Sequence, residues 1–219
     1  MRSGHRYCLL VFDWDGTIID SARTIAESIR RAAGDVGLEV PTMEQASHVI
    51  GLGLHDALRH AVPRLTPERT PEFVERYRHH FRAGEQSMGL FAGMRELLAS
   101  LSQERVLAIA TGKSRRGLDR SLEAAKLKPF FRASRCADET HPKPHPAMLL
   151  ELMAELDCPA ERMLMIGDTS HDLEMARAAG VDAVAVSYGA HAERNLRSCG
   201  PRGCVASVLE LSQWLTQHG

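Results

Sequence analysis

Four aspartates stand where carboxylates could act together. Asp13 and Asp15 fall in the run Asp13-Trp14-Asp15-Gly16-Thr17, and Asp168 and Asp172 in Gly167-Asp168-Thr169-Ser170-His171-Asp172. In extended chain, residues i and i+2 share a face, so Asp13 and Asp15 are expected to project to one side. Gly16 then permits a tight turn directly after them. Asp168 and Asp172 share a side if a helix starts between them. Each pair has a plain structural alternative: an acidic turn for the first, and helix N-capping for Asp172. A calcium loop is excluded. Counted from Asp13, its glycine position is Ile18 and its terminal Glu position is Thr24. Four carboxylates gathered at one place disfavour one another's ionisation, and a hard divalent cation relieves that conflict. Mg2+ fits best, because it binds through a few carboxylates and leaves positions for phosphate and water.

Two further stretches could hold an anion. Thr111-Gly112-Lys113 offers a hydroxyl and backbone N–H groups, although a helix cap followed by a turn would use the same residues. Lys143 lies in His141-Pro142-Lys143-Pro144-His145-Pro146, where prolines on both sides restrict the backbone and give the ammonium a defined origin. Lys113, Arg115 and Arg116 form a basic cluster that reads as the solvated start of a helix. Gly51-Leu52-Gly53-Leu54 is not a dinucleotide fingerprint, since no strand precedes it and the third glycine is missing. It reads either as a helix–helix turn or as a substrate loop flanked by His48 and His55. The 11 histidines contain no H-E-x-x-H, and no paired C-x-x-C occurs, so a zinc site is not indicated. Cys199 and Cys204 read as incidental thiols.

These residues need elements to position them. Tyr7–Phe12 is a continuous apolar run, as in a strand buried on both faces. From about Ser21 to Arg82 the pattern is helix after helix, with Ile25, Ile29, Ala32 and Ala33, then Ala57, Leu58 and Ala61, then Phe73, Tyr77 and Phe81 at helical spacing. Pro41, Pro63, Pro67 and Pro71 fall between these pieces. Beyond Gly93 the rhythm alternates. Helices are expected over Met94–Leu101, Arg115–Ala125, Ala147–Leu156, Asp172–Ala179 and Val205–Leu215. Strands are expected over Val106–Ala110, Phe131–Cys136, Met163–Ile166 and Ala183–Val186. The expected fold is α/β: a Rossmann-like, doubly wound parallel sheet with an all-helical insertion after its first strand. Ligands bind such sheets outside the carboxyl ends of the strands, where the aspartates, Thr111 and Gly112 all fall.

Composition narrows the function classes. The chain is 44% hydrophobic and 25% charged, which is ordinary globular usage and argues against wholesale disorder. A formal net charge of -1 provides no global basic field, so neither nucleic acid nor a membrane surface is an expected partner. The Tyr7–Phe12 run is far short of the ~20 residues that span a bilayer. Five cysteines cannot all pair within one chain, and a reduced, cytoplasmic setting is the expectation.

The four motifs, in this order, resemble the haloacid dehalogenase-like (HAD) superfamily, and specifically its phosphatase branch. They are Asp13–Thr17, Thr111, Lys143 within K-P-x-P, and Gly167–Asp172. The helical insertion resembles the cap of the phosphoglycolate phosphatase-like subgroup, which implies a core over 1–19 and 86–219 and a cap over 20–85. Residue by residue, the resemblance implies that Asp13 is the nucleophile forming an aspartyl-phosphate and that Asp15 is the general acid and base. Thr111 and the Gly112 N–H would hold phosphoryl oxygens, and Lys143 would neutralise charge and orient Asp13. Asp13, the main-chain carbonyl of Asp15, Asp168 and Asp172 would face Mg2+. The implied substrate is a small phosphorylated metabolite such as 2-phosphoglycolate, with a pyrophosphatase or a phosphomutase as alternatives. Asp15 speaks against dehalogenation, since the dehalogenases lack an acid there. A receiver-like phospho-acceptor shares the Asp, Thr and Lys, but lacks the second Asp and the insertion. Monomer and homodimer stay open.

Overall fold

A computed structural model describes residues 5–219, so the first four residues of the expected core segment 1–19 lie outside it. The chain begins with β1 (Leu9–Phe12). Four helices follow: α1 (Ala22–Asp35), α2 (Met43–His48), α3 (Leu54–Ala61) and α4 (Thr70–Gly84). Strands and helices then alternate through α5 (Met94–Glu104), β2 (Val106–Thr111), α6 (Arg115–Ala125), β3 (Ala133–Cys136), α7 (Ala147–Leu156) and β4 (Met163–Gly167). The remainder runs through α8 (Ser170–Ala178), β5 (Asp182–Val186), α9 (Glu193–Ser198), β6 (Gly203–Val205) and α10 (Val208–His218). Short β6 and α9 add to the expected elements, and Val205, expected to open the closing helix, ends β6 instead, so that α10 begins at Val208. Gly203-Cys204-Val205 is too brief for a periodicity signal, and its place is set by pairing with β5.

All six strands are parallel, in the order β3-β2-β1-β4-β5-β6. The first strand of the chain is therefore central, between β2 and β4, and the winding reverses on either side of it. That reversal opens the crevice in which doubly wound sheets bind ligands. Alternation explains why β1 is apolar throughout. Leu10 and Phe12 pack on one face with Met94, Leu98, Leu118, Leu211 and Leu215, whereas Leu9 and Val11 pack on the other with Met148, Leu152, Leu173 and Met175. The helices after β1 bury a separate cluster of their own, including Ile29, Ala32, Leu58 and Phe73.

Candidate active site

Residues immediately beyond β1, β2 and β4 converge, as the sheet order requires. Asp13 extends β1, its N–H donating to the Ile166 carbonyl of β4 at 2.9 Å. It is 1% exposed. Lys143 reaches in from the loop between β3 and α7, its side chain fully buried, and its Nζ lies 2.7 Å from Asp13 Oδ1 and 2.6 Å from Asp172 Oδ1. These are charge contacts rather than directed hydrogen bonds. Both Asp13 oxygens, Asp172 Oδ1 and Lys143 Nζ lack a partner of good hydrogen-bond geometry. Asp13 Oδ2 has no hydrogen-bond donor among the described residues, at a depth where an unsatisfied polar atom costs about 1–3 kcal/mol or more.

Asp168 and Asp172 are held rigidly beside them. Thr17 Oγ1 donates to Asp168 Oδ1 at 2.7 Å, and the Ala190 N–H donates to Asp168 Oδ2 at 2.7 Å. Gly16, at φ +82°, turns the chain so closely beneath Asp168 that any Cβ there would overlap its carboxylate. Asp172 serves the start of α8 with one oxygen and turns the other inward, standing at N3 of the capping box rather than at the N-cap. Its Oδ2 accepts from the Thr169 N–H (3.1 Å) and hydroxyl (2.7 Å) in the capping box that starts α8, while Oδ1 faces Lys143. Asp13, Asp168 and Asp172 each present an oxygen within 4.8 Å of the others.

Electrostatics follow from this crowding. Burial, aided by the charges of Asp172 and Asp168, lifts the Asp13 carboxyl well above the ordinary carboxylate range against the opposing pull of Lys143. Burial and Asp172 push Asp168 up to about 7, opposed by the Ala190 N–H and Thr17. For Lys143, burial would lower the pKa, but Asp13 and Asp172 outweigh it and the ammonium is held more firmly than usual. Three buried carboxyls beside one cation, with orphaned oxygens converging, are a donor set suited to a divalent ion with oxygen ligands.

The Asp15 carboxylate is outside that triad. It accepts from Ser21 Oγ at 2.8 Å and pairs with Lys113 Nζ at 3.0 and 2.9 Å, so this carboxylate adds no oxygen to the cluster. Lys113 overturns its expected reading as a solvated residue. Its side chain is 12% exposed and its ammonium lies 5.1 Å from the centre of the Phe81 ring. A signal was present in the sequence: Lys113 stands two residues beyond a strand-end Thr111, the spacing that relates Asp13 to Asp15. Arg115 is instead occupied by Glu139, Asp119 and Ser134, and Arg116 is exposed.

Thr111 is buried at the end of β2, and Gly112 lies directly beneath the loop Gly51–Gly53, which thus covers the site. His171 Nε2 and His191 Nε2 both donate to the His48 carbonyl, at 2.9 and 3.1 Å, tethering the chain three residues before that loop. Burial keeps both rings below the ordinary histidine range, His191 at about 4. The His48 ring is exposed and stacks on His191, and His55 is exposed on α3. Asp13, Asp15, Thr111, Gly112 and Lys113 line a cavity of about 270 Å3, walled on the far side by α1, α3 and α4. All five cysteines are free, Cys199 and Cys204 included. No helix of the described residues is long and apolar enough to cross a membrane.

Known proteins resemble this chain in sequence and in fold. The chain is 36% identical over 210 residues to the protein named Probable phosphatase IndB of Dickeya dadantii, covering 93% of this chain and 91% of that one. It is 35% identical over 184 residues to Tyrosine-protein kinase PtkA of Mycobacterium tuberculosis, covering 83% of this chain but 62% of that longer protein. Phosphoglycolate phosphatase of Aliivibrio fischeri is 31% identical over 191 residues, with 83% and 84% covered. In fold, a hydrolase from Pseudomonas syringae superposes with a TM-score of 0.87 at 22% identity, covering 96% of this chain and 98% of that structure. The family model described as haloacid dehalogenase-like hydrolase matches residues 10–186, from β1 through the end of β5. By its motifs, its sheet order and this match, the chain belongs to the haloacid dehalogenase-like hydrolase family.

Proposed function

We propose that this chain is a Mg2+-dependent phosphatase that hydrolyses a small phosphomonoester through an aspartyl-phosphate on Asp13. The observation that carries this reading is the Asp13 carboxylate itself. It is buried at the switch point of the sheet, neutralised by Lys143, and has both oxygens free of directed hydrogen bonds. One oxygen of Asp13 attacks phosphorus as the ester P–O bond breaks, and Asp15, released from its pair with Lys113 and carrying a proton, gives that proton to the departing oxygen. Asp15, then ionised, takes a proton from the water that attacks the same phosphorus, releasing phosphate and regenerating Asp13. Thr111 and the Gly112 N–H hold phosphoryl oxygens, and Lys143 balances their charge. Asp13, Asp168, Asp172 and the Asp15 carbonyl would hold Mg2+, which when bound supplies electrostatic stabilisation of the transferring phosphoryl group.

Residues 1–19 and 86–219 form the catalytic core in this reading, and residues 20–85 form a cap that shields the site from water. Its Gly51–Leu54 loop lies over the phosphoryl site. The substrate is a small phosphorylated metabolite, with 2-phosphoglycolate as the candidate offered by the resemblance and by the name of one relative. Five free thiols suit a reduced, cytoplasmic setting. The test is phosphate release from a panel containing 2-phosphoglycolate, pyrophosphate, sugar phosphates, nucleoside monophosphates and aryl phosphates, with Mg2+ and with EDTA. Mg2+-dependent release supports the reading. Transfer of phosphate to another acceptor without release overturns it in favour of a mutase or kinase.

A further inference from the structure

The cavity is larger and more basic than phosphate binding alone requires. It offers about 270 Å3 in a partly open cleft, whereas an apolar cavity of about 150 Å3 already holds a benzene ring. Beyond the carboxylates, its walls are apolar and aromatic. Ile25 and Ile29 of α1 and Leu54 of α3 face Tyr77 and Phe81 of α4, whose rings stack at 5.9 Å. A two-carbon body such as that of 2-phosphoglycolate would leave these walls untouched.

Above the apolar wall lies a cationic rim. Arg78 and Arg82 stand one turn apart on α4, and Arg116 and Arg120 one turn apart on α6, all lining the same cavity. Like charges at i and i+4 repel weakly on an exposed surface, and all four arginines are exposed, so an anion between the two pairs would relieve a modest repulsion. Arg120 has Glu85 at 2.6 Å, but Arg78, Arg82 and Arg116 have no ion-pair partner among the described residues. Among the described residues, Asp13 and Asp15 are the only carboxylates lining the cavity. Phosphate is handled at the base by Thr111, Gly112 and Lys143, so the arginines are left to hold a second charge.

Resting on the phosphatase reading above, we propose that the substrate is a phosphomonoester with a ring-sized apolar body and a second anionic group at its far end. In this arrangement the body lies against Tyr77, Phe81 and Ile29, and the distal anion is met by Arg78, Arg82 and Arg116. Hydrolysis follows the course given above and needs no further reactant.

The test compares kcat/KM, in Mg2+, for 4-carboxyphenyl phosphate, phenyl phosphate and 2-phosphoglycolate, with wild type and the exposed triple variant Arg78→Gln/Arg82→Gln/Arg116→Gln. Exposed charge pairs are individually weak, so three arginines are expected to prefer the carboxylated aryl ester over phenyl phosphate by about tenfold. That ratio should collapse towards one in the triple variant, and 2-phosphoglycolate should be the poorest of the three. A wild-type ratio of one or less, or a ratio unaltered in the variant, overturns the distal anion site. Preference for 2-phosphoglycolate over both aryl esters overturns the ring-sized body while leaving the phosphatase chemistry intact. Release from none of the three, in folded protein, overturns the catalytic reading and this proposal with it.

Discussion

The close approach of the Gly51–Gly53 loop to the core can be tested with one methyl group. A Cβ on Gly112 would lie 2.5 Å from the Gly51 carbonyl oxygen and 2.6 Å from that of Leu52. Both atoms are backbone, so no side chain can swing aside. Ordinary contact begins at 3.4 Å, and the loop must therefore retreat by about 0.9 Å. Displacing a positioning element by about 1 Å can cost about 10²-fold in rate, so Gly112→Ala should lose about two orders of magnitude in kcat/KM. The loop lies at the boundary of two packed clusters, so the strain can be relieved by tilting the helical segment. Loss of stability should stay within the ~1–3 kcal/mol of an overpacked site. Steady-state kinetics on an aryl phosphate, with a thermal melt to confirm folding, measure both. Gly89→Ala is the control, since it meets no atom within 4 Å. A folded Gly112→Ala enzyme within threefold of wild type would refute the argument that this contact sets the closed geometry.

Two further outcomes follow from the buried charges. Lys143→Met leaves Asp13 and Asp172 without their cation, so activity should be lost. The melt should show a destabilisation of about 3–5 kcal/mol near pH 8 that shrinks as pH falls and the Asp13 carboxyl, lifted by burial, takes up its proton. The metal-free protein should also become less stable as pH rises from about 4 to about 7. The folded chain keeps protons on Asp13 and Asp168, the latter up to about 7, that the unfolded chain releases near pH 4. Mg2+ competes with those protons, so the rise in Tm on adding it should be larger near pH 8 than near pH 5. An equal rise at both values would count against the carboxylate triad as the metal site.

Much of the site was legible because its residues are tied to strand ends. Asp13, Thr111 and Asp168 each follow an apolar run closely, and parallel strands carry all such positions to the same edge. The order of the strands was not legible, since nothing local in β1 marks it as central. That depends on which strands it meets far along the chain, with Leu9 paired to Val106 on one side and to Met163 on the other. For Lys113 the strand-end spacing was the one signal, and its partners could not be read because Asp15 and Phe81 are not neighbours in sequence. Tyr77 and Phe81 were visible as an i,i+4 stripe, but a stripe that packs into a core and one that walls a cavity share one pattern. The tether of His171 and His191 to a single carbonyl had no sequence signal, because its acceptor is backbone.

The most direct test of the central claim is to look for phosphate on Asp13. The Asp15→Asn variant lacks the base for the second step, so acid-quenched reaction with a radiolabelled aryl phosphate should leave label on the protein. That label should be labile to hydroxylamine, approach one per chain, and map to the peptide containing residue 13. It should be absent from Asp13→Asn, which should also release no phosphate. Phosphate release persisting in folded Asp13→Asn, at a rate near that of wild type, would contradict the account.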